Sequence, residues 1–241
     1  MTEIGIGIIG GGYMGKAHAV AMQAVGAVFD TALRPRLEMV AASSDASAAR
    51  YAKSFGFTRS TGDWRTLVAD PRVEAVIIAS PPETHLDIIR AVAAQGKPVF
   101  CEKPLGASFE DARAMVKVAE GAGLVNMIGF NYIRTPATQF ARKLIAEGAI
   151  GDVTWFRGEH TEDFLADPET PTSWRTDGDA NGTMGDLAPH MINASLALIG
   201  PISSVMAQIE TVHSTRGGEV LTNDDHAQMM CRFENGVMGH I

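Results

Sequence analysis

Residues 5–15 read Gly5-Ile6-Gly7-Ile8-Ile9-Gly10-Gly11-Gly12-Tyr13-Met14-Gly15, an apolar run that passes directly into glycines. The run has strand length and carries no polar alternation, which suits a strand covered on both faces. Its glycines satisfy G-x-G-x-x-G at Gly10, Gly12 and Gly15, with Tyr13 and Met14 in the variable places. In that pattern the first glycine permits the tight turn and the second lets backbone approach a pyrophosphate. The third allows close packing of a helix whose N-terminus faces the phosphates. Glycine-rich turns also occur for purely structural reasons. What points to a dinucleotide is the position of this one, between a first strand and a first helix.

Working outward, apolar runs at 4–9, 37–42, 73–79 and 98–101 alternate with helix-like segments at 15–28, 46–55, 83–94 and 108–119. The last of these opens with Ser108 and Asp111, an acidic variant of the capping box. A fifth run at 124–130 closes the series. Such alternation predicts βαβ units in a parallel sheet, a dinucleotide-binding domain over residues 1–130 of an α/β protein. The texture then changes, and residues 131–241 read as a second domain. A helix is expected over 136–146, a strand over 153–159, a polar loop over 161–182 and a helix over 184–198. Strands follow over 203–212 and 225–233. Asn235-Gly236 is a hairpin signal. The chain stops at 241 within the returning arm, so it reads as a truncated piece of a longer protein; were Ile241 the true end, 225–233 would be an unprotected sheet edge.

The 241 residues are 46% hydrophobic and 20% charged, with a net charge of −8. That balance fits a soluble globular protein and argues against nucleic acid, which needs clustered Lys and Arg. Cys101 and Cys231 have no framework spacing, so a reduced, cytoplasmic setting is expected. The start carries no basic segment with a cleavage site, and no run of apolar residues is long enough for a membrane span.

Ligands of open parallel sheets lie outside the carboxyl ends of the strands, so the residues at those ends are the ones expected to meet a ligand. After the second strand come Ser43-Ser44-Asp45, with Asp45 30 residues past Gly15, against roughly 20 in the usual fingerprint. A long connection over 26–36 accounts for the difference. Asp45 favours NAD, while the two serines and Arg50 leave NADP open. After the third strand come Ser80, Pro81, Pro82 and His85. The prolines stiffen the crossover and offer a site for a cis bond. His85 has two readings, an approach to the nicotinamide or a cap-region ring bonded to backbone. After the fourth strand comes Val99-Phe100-Cys101-Glu102-Lys103-Pro104-Leu105-Gly106. Lys103 there is either a donor to a substrate oxygen or a loop cation paired with Glu102.

Further on, Asp186 and His190 stand one helical turn apart in GTMGDLAPHMIN, where Pro189 predicts an irregular start or a kink. A carboxylate beside an imidazole suits a general base. Two clusters, His160 with Glu162 and Asp163 and Asp224 with Asp225 and His226, lack a metal-ligand spacing, so no metal is expected.

Taken in order, GIGIIGGGYMGKAH, VIIASPPETH, VFCEKPLG and GTMGDLAPHMIN resemble the Gfo/Idh/MocA oxidoreductases over nearly the whole chain. The E-K-P tripeptide followed by D-x-x-x-H is the most specific element. The resemblance implies a Rossmann domain followed by an α+β domain with an open, mostly antiparallel sheet that serves homo-oligomerisation. It makes Lys103, Asp186 and His190 the catalytic set of an NAD(P)-dependent dehydrogenase acting on a cyclic polyol or sugar. His190 would be the general base, Asp186 its partner and Lys103 a donor to the reacting oxygen. Asn131, Trp174, Arg175 and Asn193 would contact substrate hydroxyls. Ser44, Asp45, Ser80, Pro81, His85, Glu102 and Lys103 would join the glycine loop on the cofactor. Where Asn193 stands, family members often carry a second acid, and they usually continue beyond residue 241. The alternatives are a reductase of a non-sugar carbonyl or diol, and a redox-inert nucleotide sensor on the same fold.

Overall fold

The computed structural model of the chain describes residues 2–176 and 181–241. The chain divides into two compact units, Met1–Gly129 and Phe130–Ile241.

The first unit is a six-stranded sheet. Its strands are β1 (Thr2–Ile9), β2 (Leu33–Ala41), β3 (Arg59–Thr61), β4 (Ala75–Ile78), β5 (Val99–Cys101) and β6 (Asn126–Ile128), in the spatial order β3-β2-β1-β4-β5-β6. All pairings are parallel. Helices α1 (Tyr13–Val28), α2 (Asp45–Phe55), α3 (Trp64–Ala69), α4 (His85–Ala94) and α5 (Phe109–Gly121) make the crossovers. The sheet separates two apolar layers. Ile6, Ile8, Leu37, Val40 and Ile77 pack against Ala19 and the α2 side chains. Ile9, Met39, Val76, Ile78 and Val99 pack against α3, α4 and α5 through Leu67, Ile88, Val92 and Met115. Burial on both faces is why these strands read as continuous apolar runs.

Of three local expectations, one holds and two differ. Ser108 caps α5, its hydroxyl oxygen accepting from the Asp111 amide at 3.0 Å. The connection expected over 26–36 is shorter, because α1 runs to Val28 and β2 already begins at Leu33, with Pro35 inside it opposite Ile4. The one cis peptide bond among the described residues joins Lys103 to Pro104, not the Ser80–Pro82 segment.

β3 and α3 were not expected. They are held by a buried charge at a bulge. The β1–β2 register slips between Ile6 and Gly7, and the extra residue is Glu38, 1% exposed. Arg59 Nε donates to Glu38 Oε1 at 2.8 Å, and Arg36 also pairs with Glu38. The same Arg59 grips Asp70, whose carboxyl it holds well below the ordinary carboxylate range. One acid in the sheet thereby fastens β3 and the end of α3 to β2.

The second unit begins with a 3-10 turn (Tyr132–Arg134) and helix α6 (Pro136–Ala146), capped by Thr135. Its main sheet has strands β7 (Trp155–Arg157), β8 (Ile202–Glu210), β11 (His226–Phe233) and β12 (Met238–His240), in the order β7-β12-β11-β8. Two pairings are antiparallel and β12–β7 is parallel. A small hairpin, β9 (Thr215–Arg216) with β10 (Glu219–Val220), stands apart. β11 lies between β12 and β8, so 225–233 is not an edge even with the chain ending at 241: the edges are β7 and β8. Asn235-Gly236 makes the expected turn, with Gly236 at φ +89°. Helix α7 (Ala188–Leu198) follows a π turn at Thr183–Leu187, with Pro189 in its first turn, where its missing N–H costs nothing. Ile192 and Ile199 of this region pack on Met229, Cys231 and Phe233. The opposite sheet face is open, with Trp155, Met206, Met230 and Met238 each at least 45% exposed.

Candidate active site

In the first unit the glycine loop sits where β1, β2 and β4 end. The Gly10 amide donates to Ala41 O of β2 at 2.9 Å, and a Cβ on Gly10 would lie 2.3 Å from Ala79 O just past β4. A Cβ on Gly15 would come within 2.0 Å of Gly10 O, so the helix rests directly on the loop. At Gly12 the same atom would meet nothing within 4 Å, so this side of the loop is open. Gly12 also starts α1 without a side-chain cap, and no acidic residue stands in the first turn. An uncapped, open helix start of this kind fits a pyrophosphate.

At the end of β2, Ser44 caps α2, its Oγ accepting from Ser47 N at 3.2 Å. Asp45 Oδ1 accepts from Gly62 N at 2.6 Å. At the end of β4, Ser80 and Thr84 share a hydroxyl contact of 2.7 Å, and Pro81 leads into the turn Pro82–Thr84. Of the two readings of His85, the backbone-bonded one is found. The ring is fully buried, with Nε2 2.8 Å from Ser80 O and Nδ1 3.1 Å from Leu105 O. Both ring nitrogens face backbone carbonyls, which is the backbone-bonded reading. His85 braces the loop after β4 against the loop after β5.

Lys103 stands two residues past β5, half-buried. Glu102 beside it is 6% exposed, and its two oxygens are engaged. Oε1 lies 2.6 Å from His18 Nε2, and Oε2 accepts from the Lys103 amide at 3.2 Å. Glu102 therefore fixes the backbone that carries the lysine. Cys101 is a buried free thiol, pushed up to about 12 by burial and by the Glu102 charge. His18 was not singled out from sequence, and its place one turn beyond the glycine loop was the only available signal.

In the second unit Asp186 and His190 are each 7% exposed, which rules out a solvated surface pair. The π turn places Asp186 and α7 carries His190. Arg175 Nε donates to Asp186 Oδ2 at 3.2 Å and its guanidinium lies 5.2 Å from the Phe164 ring centre. The His190 ring is walled by Tyr132 at 4.6 Å, His160 at 5.6 Å and Phe130 at 6.1 Å between centroids. His160 holds Glu162 through Nε2 at 3.0 Å. Among the described residues, two buried atoms near this cluster have no hydrogen-bond partner, His160 Nδ1 and Asn193 Oδ1. Buried polar atoms are nearly always met by protein, water or a bound group, so both can serve a ligand. Tyr132 and His160 were missed from sequence as parts of this site, since ring contacts between distant residues leave no local pattern. Asn131 is exposed ahead of the 3-10 turn. The side chain of Trp174 lies outside the described residues. A cavity of about 340 Å³ in this unit is lined by His160, Glu162, Thr183, Met184, Leu187 and Gln228. No group of three or more metal-ligating side chains occurs among the described residues, and no helix there is long and apolar enough to cross a membrane.

A family model described as an oxidoreductase family with an NAD-binding Rossmann fold matches residues 4–130. A second, for the Gfo/Idh/MocA C-terminal domain, matches residues 138–241. Levoglucosan dehydrogenase of Pseudarthrobacter phenanthrenivorans is 38% identical over 262 aligned positions, spanning 100% of this chain and 67% of that protein. The NADP-linked D-xylose 1-dehydrogenase of Haloarcula marismortui is 30% identical over 68% of this chain and 48% of its own length. The solved complex of levoglucosan dehydrogenase with NADH and levoglucosan superposes with a TM-score of 0.96 at 39% identity, covering 99% of this chain and 66% of that one. The chain thus spans about two thirds of the length of levoglucosan dehydrogenase.

Proposed function

The chain belongs to the Gfo/Idh/MocA oxidoreductase family, and from that premise we propose that it is the dehydrogenase part of an NAD(H)-linked enzyme oxidising a secondary hydroxyl of a cyclic polyol or sugar. The observation that carries this reading is the joint burial of Asp186 and His190 in an aromatic-walled cluster that still holds unpartnered polar atoms. A structural pair needs no such provision.

The glycine loop, with Gly10, Gly12, Tyr13, Met14 and Gly15, would hold the pyrophosphate, and Ser80 and Pro81 would border it. When bound, the nicotinamide supplies the acceptor for the hydride leaving the carbinol carbon. His190 takes the hydroxyl proton through a ring nitrogen, from a buried position beside the rings of Tyr132, His160 and Phe130. Asp186 balances the imidazolium charge that this creates, while Arg175 keeps the carboxylate in place. Lys103 donates to the reacting oxygen and stabilises the negative charge that develops on it. Asn193 Oδ1 is free to accept from a neighbouring substrate hydroxyl.

The levoglucosan and D-xylose dehydrogenases named above suggest anhydrosugars and pyranoses as the substrate class. The open sheet face, with Trp155, Met206, Met230 and Met238, suits coverage by a second copy of the chain. A reduced cytoplasmic setting suits the two buried free thiols.

The test offers NAD⁺ with levoglucosan, D-xylose and inositol to the protein and follows NADH formation. At least one sugar is expected to be oxidised. His190→Ala is expected to lower turnover about 100-fold or more with nucleotide affinity unchanged. Equal turnover in the variant, or no oxidation of any sugar by the full-length protein, would sink the reading.

A further inference from the structure

We propose that Asp45 does not read the adenosine ribose. Its carboxylate is instead a clasp on the turn after β3, Ser43 and Ser44 form the ribose edge, and the protein accepts NADPH as well as NADH. The proposal rests on the reading above, that a nicotinamide nucleotide lies along the glycine loop.

The topology decides which way each side chain serves. Gly10 N bonds Ala41 O, so the end of β2 abuts the start of the glycine loop. The residues just past Ala41 are the ones that border a nucleotide there. Ser43 is exposed at that point, and Ser44 follows as the α2 cap. The Ser44 oxygen accepts from Ser47 N, which leaves its hydroxyl proton to donate elsewhere.

Asp45 is the next residue, and one oxygen of its carboxylate is already engaged. Oδ1 accepts from Gly62 N at 2.6 Å. Gly62 follows β3, and β3 flanks β2 on the side away from β1. The glycine loop follows β1, so the bond draws the carboxylate to the opposite side of β2 from the loop. The contact is tight as well. A Cβ on Gly62 would lie 2.7 Å from Asp45 N and 3.0 Å from its Oδ1, so this turn is seated against the start of α2.

The consequence is chemical. An acid at the ribose selects NAD by accepting from the 2′-hydroxyl and by repelling a 2′-phosphate. Hydroxyls bond the ribose without repelling the phosphate. Of the charged groups on the adjoining elements, Arg50 donates to Ser47 Oγ at 3.4 Å, Arg59 is held by Glu38 and Asp70, and Asp63 caps α3.

NADH and NADPH are titrated by fluorescence into the wild type, Asp45→Asn and Ser43→Asp, with circular dichroism confirming the fold of each. The wild-type dissociation constants are expected to lie within about tenfold of each other, and Asp45→Asn to leave their ratio within about threefold. Ser43→Asp, on an exposed residue, is expected to weaken NADPH relative to NADH by about 30-fold or more through like-charge contact. A wild-type preference for NADH beyond tenfold that Asp45→Asn erases would overturn the proposal, as would an unchanged ratio in Ser43→Asp. Binding of neither nucleotide would instead overturn the functional reading, and this inference with it.

Discussion

Glu38 and Asn193 are both polar side chains within packed regions, one in each unit, and they are treated in opposite ways. Glu38 sits at a bulge in the first sheet and is met by Arg36 and Arg59, with Arg72 at 3.7 Å. Asn193 follows His190 by three residues, and its side-chain oxygen has no partner among the described residues. The first unit is covered on both sheet faces and satisfies its buried charge internally. The second leaves one sheet face open and its polar atoms waiting. Satisfied buried groups hold a fold together, whereas unsatisfied ones are tolerated where a ligand completes them.

This contrast can be broken by substitution. Glu38→Gln keeps the shape and removes the charge, leaving three arginines facing a neutral amide. It is expected to cost ~2–3 kcal/mol in urea unfolding, toward the low end for a broken buried pair because the arginines reach water. A loss below about 0.5 kcal/mol would show that the bulge is held by backbone pairing alone. The smaller effect is at Asn193. Asn193→Ala removes an oxygen that bonds nothing, so stability is expected to move by less than about 0.5 kcal/mol while the KM for sugar rises. A loss above about 1.5 kcal/mol with KM unchanged would make Asn193 structural and erase the contrast.

How much of this was readable beforehand differs between the units for the same physical reason. Local chemistry is legible: the glycine loop, the Ser108 cap, the Pro136 start of α6 and the Asn235-Gly236 turn all act within a few residues. Apolar runs gave five of the six strands in the first sheet, because burial on both faces leaves an unbroken signature. β3 was missed because Arg-Ser-Thr carries no apolar pattern and is held from outside, by Glu38. α3 was missed because six residues are too few to show a helical period.

Lys103, Asp186 and His190 were singled out through their motifs, while the surroundings of each were not. His18 and Glu102 are 84 residues apart, and the rings of Tyr132 and His160 meet His190 only in the folded unit. Asp45 shows the limit from the other side. Its residue type and rough position suited a ribose contact, but the direction of its carboxylate is set by Gly62, which sequence spacing does not reveal. His85 was open between two readings for the same reason, and its burial decided it.

The central claim is that a hydride leaves a sugar carbon for the nicotinamide while His190 takes the proton. The most direct measurement uses a sugar carrying deuterium on the oxidised carbon and analyses the nucleotide product by mass spectrometry. The account predicts one deuterium in each NADH formed by the wild-type protein and almost none formed with His190→Ala, although NADH still binds the variant. Tight NADH binding to the wild type with no deuterium transferred from any sugar would contradict it and leave a nucleotide sensor in its place.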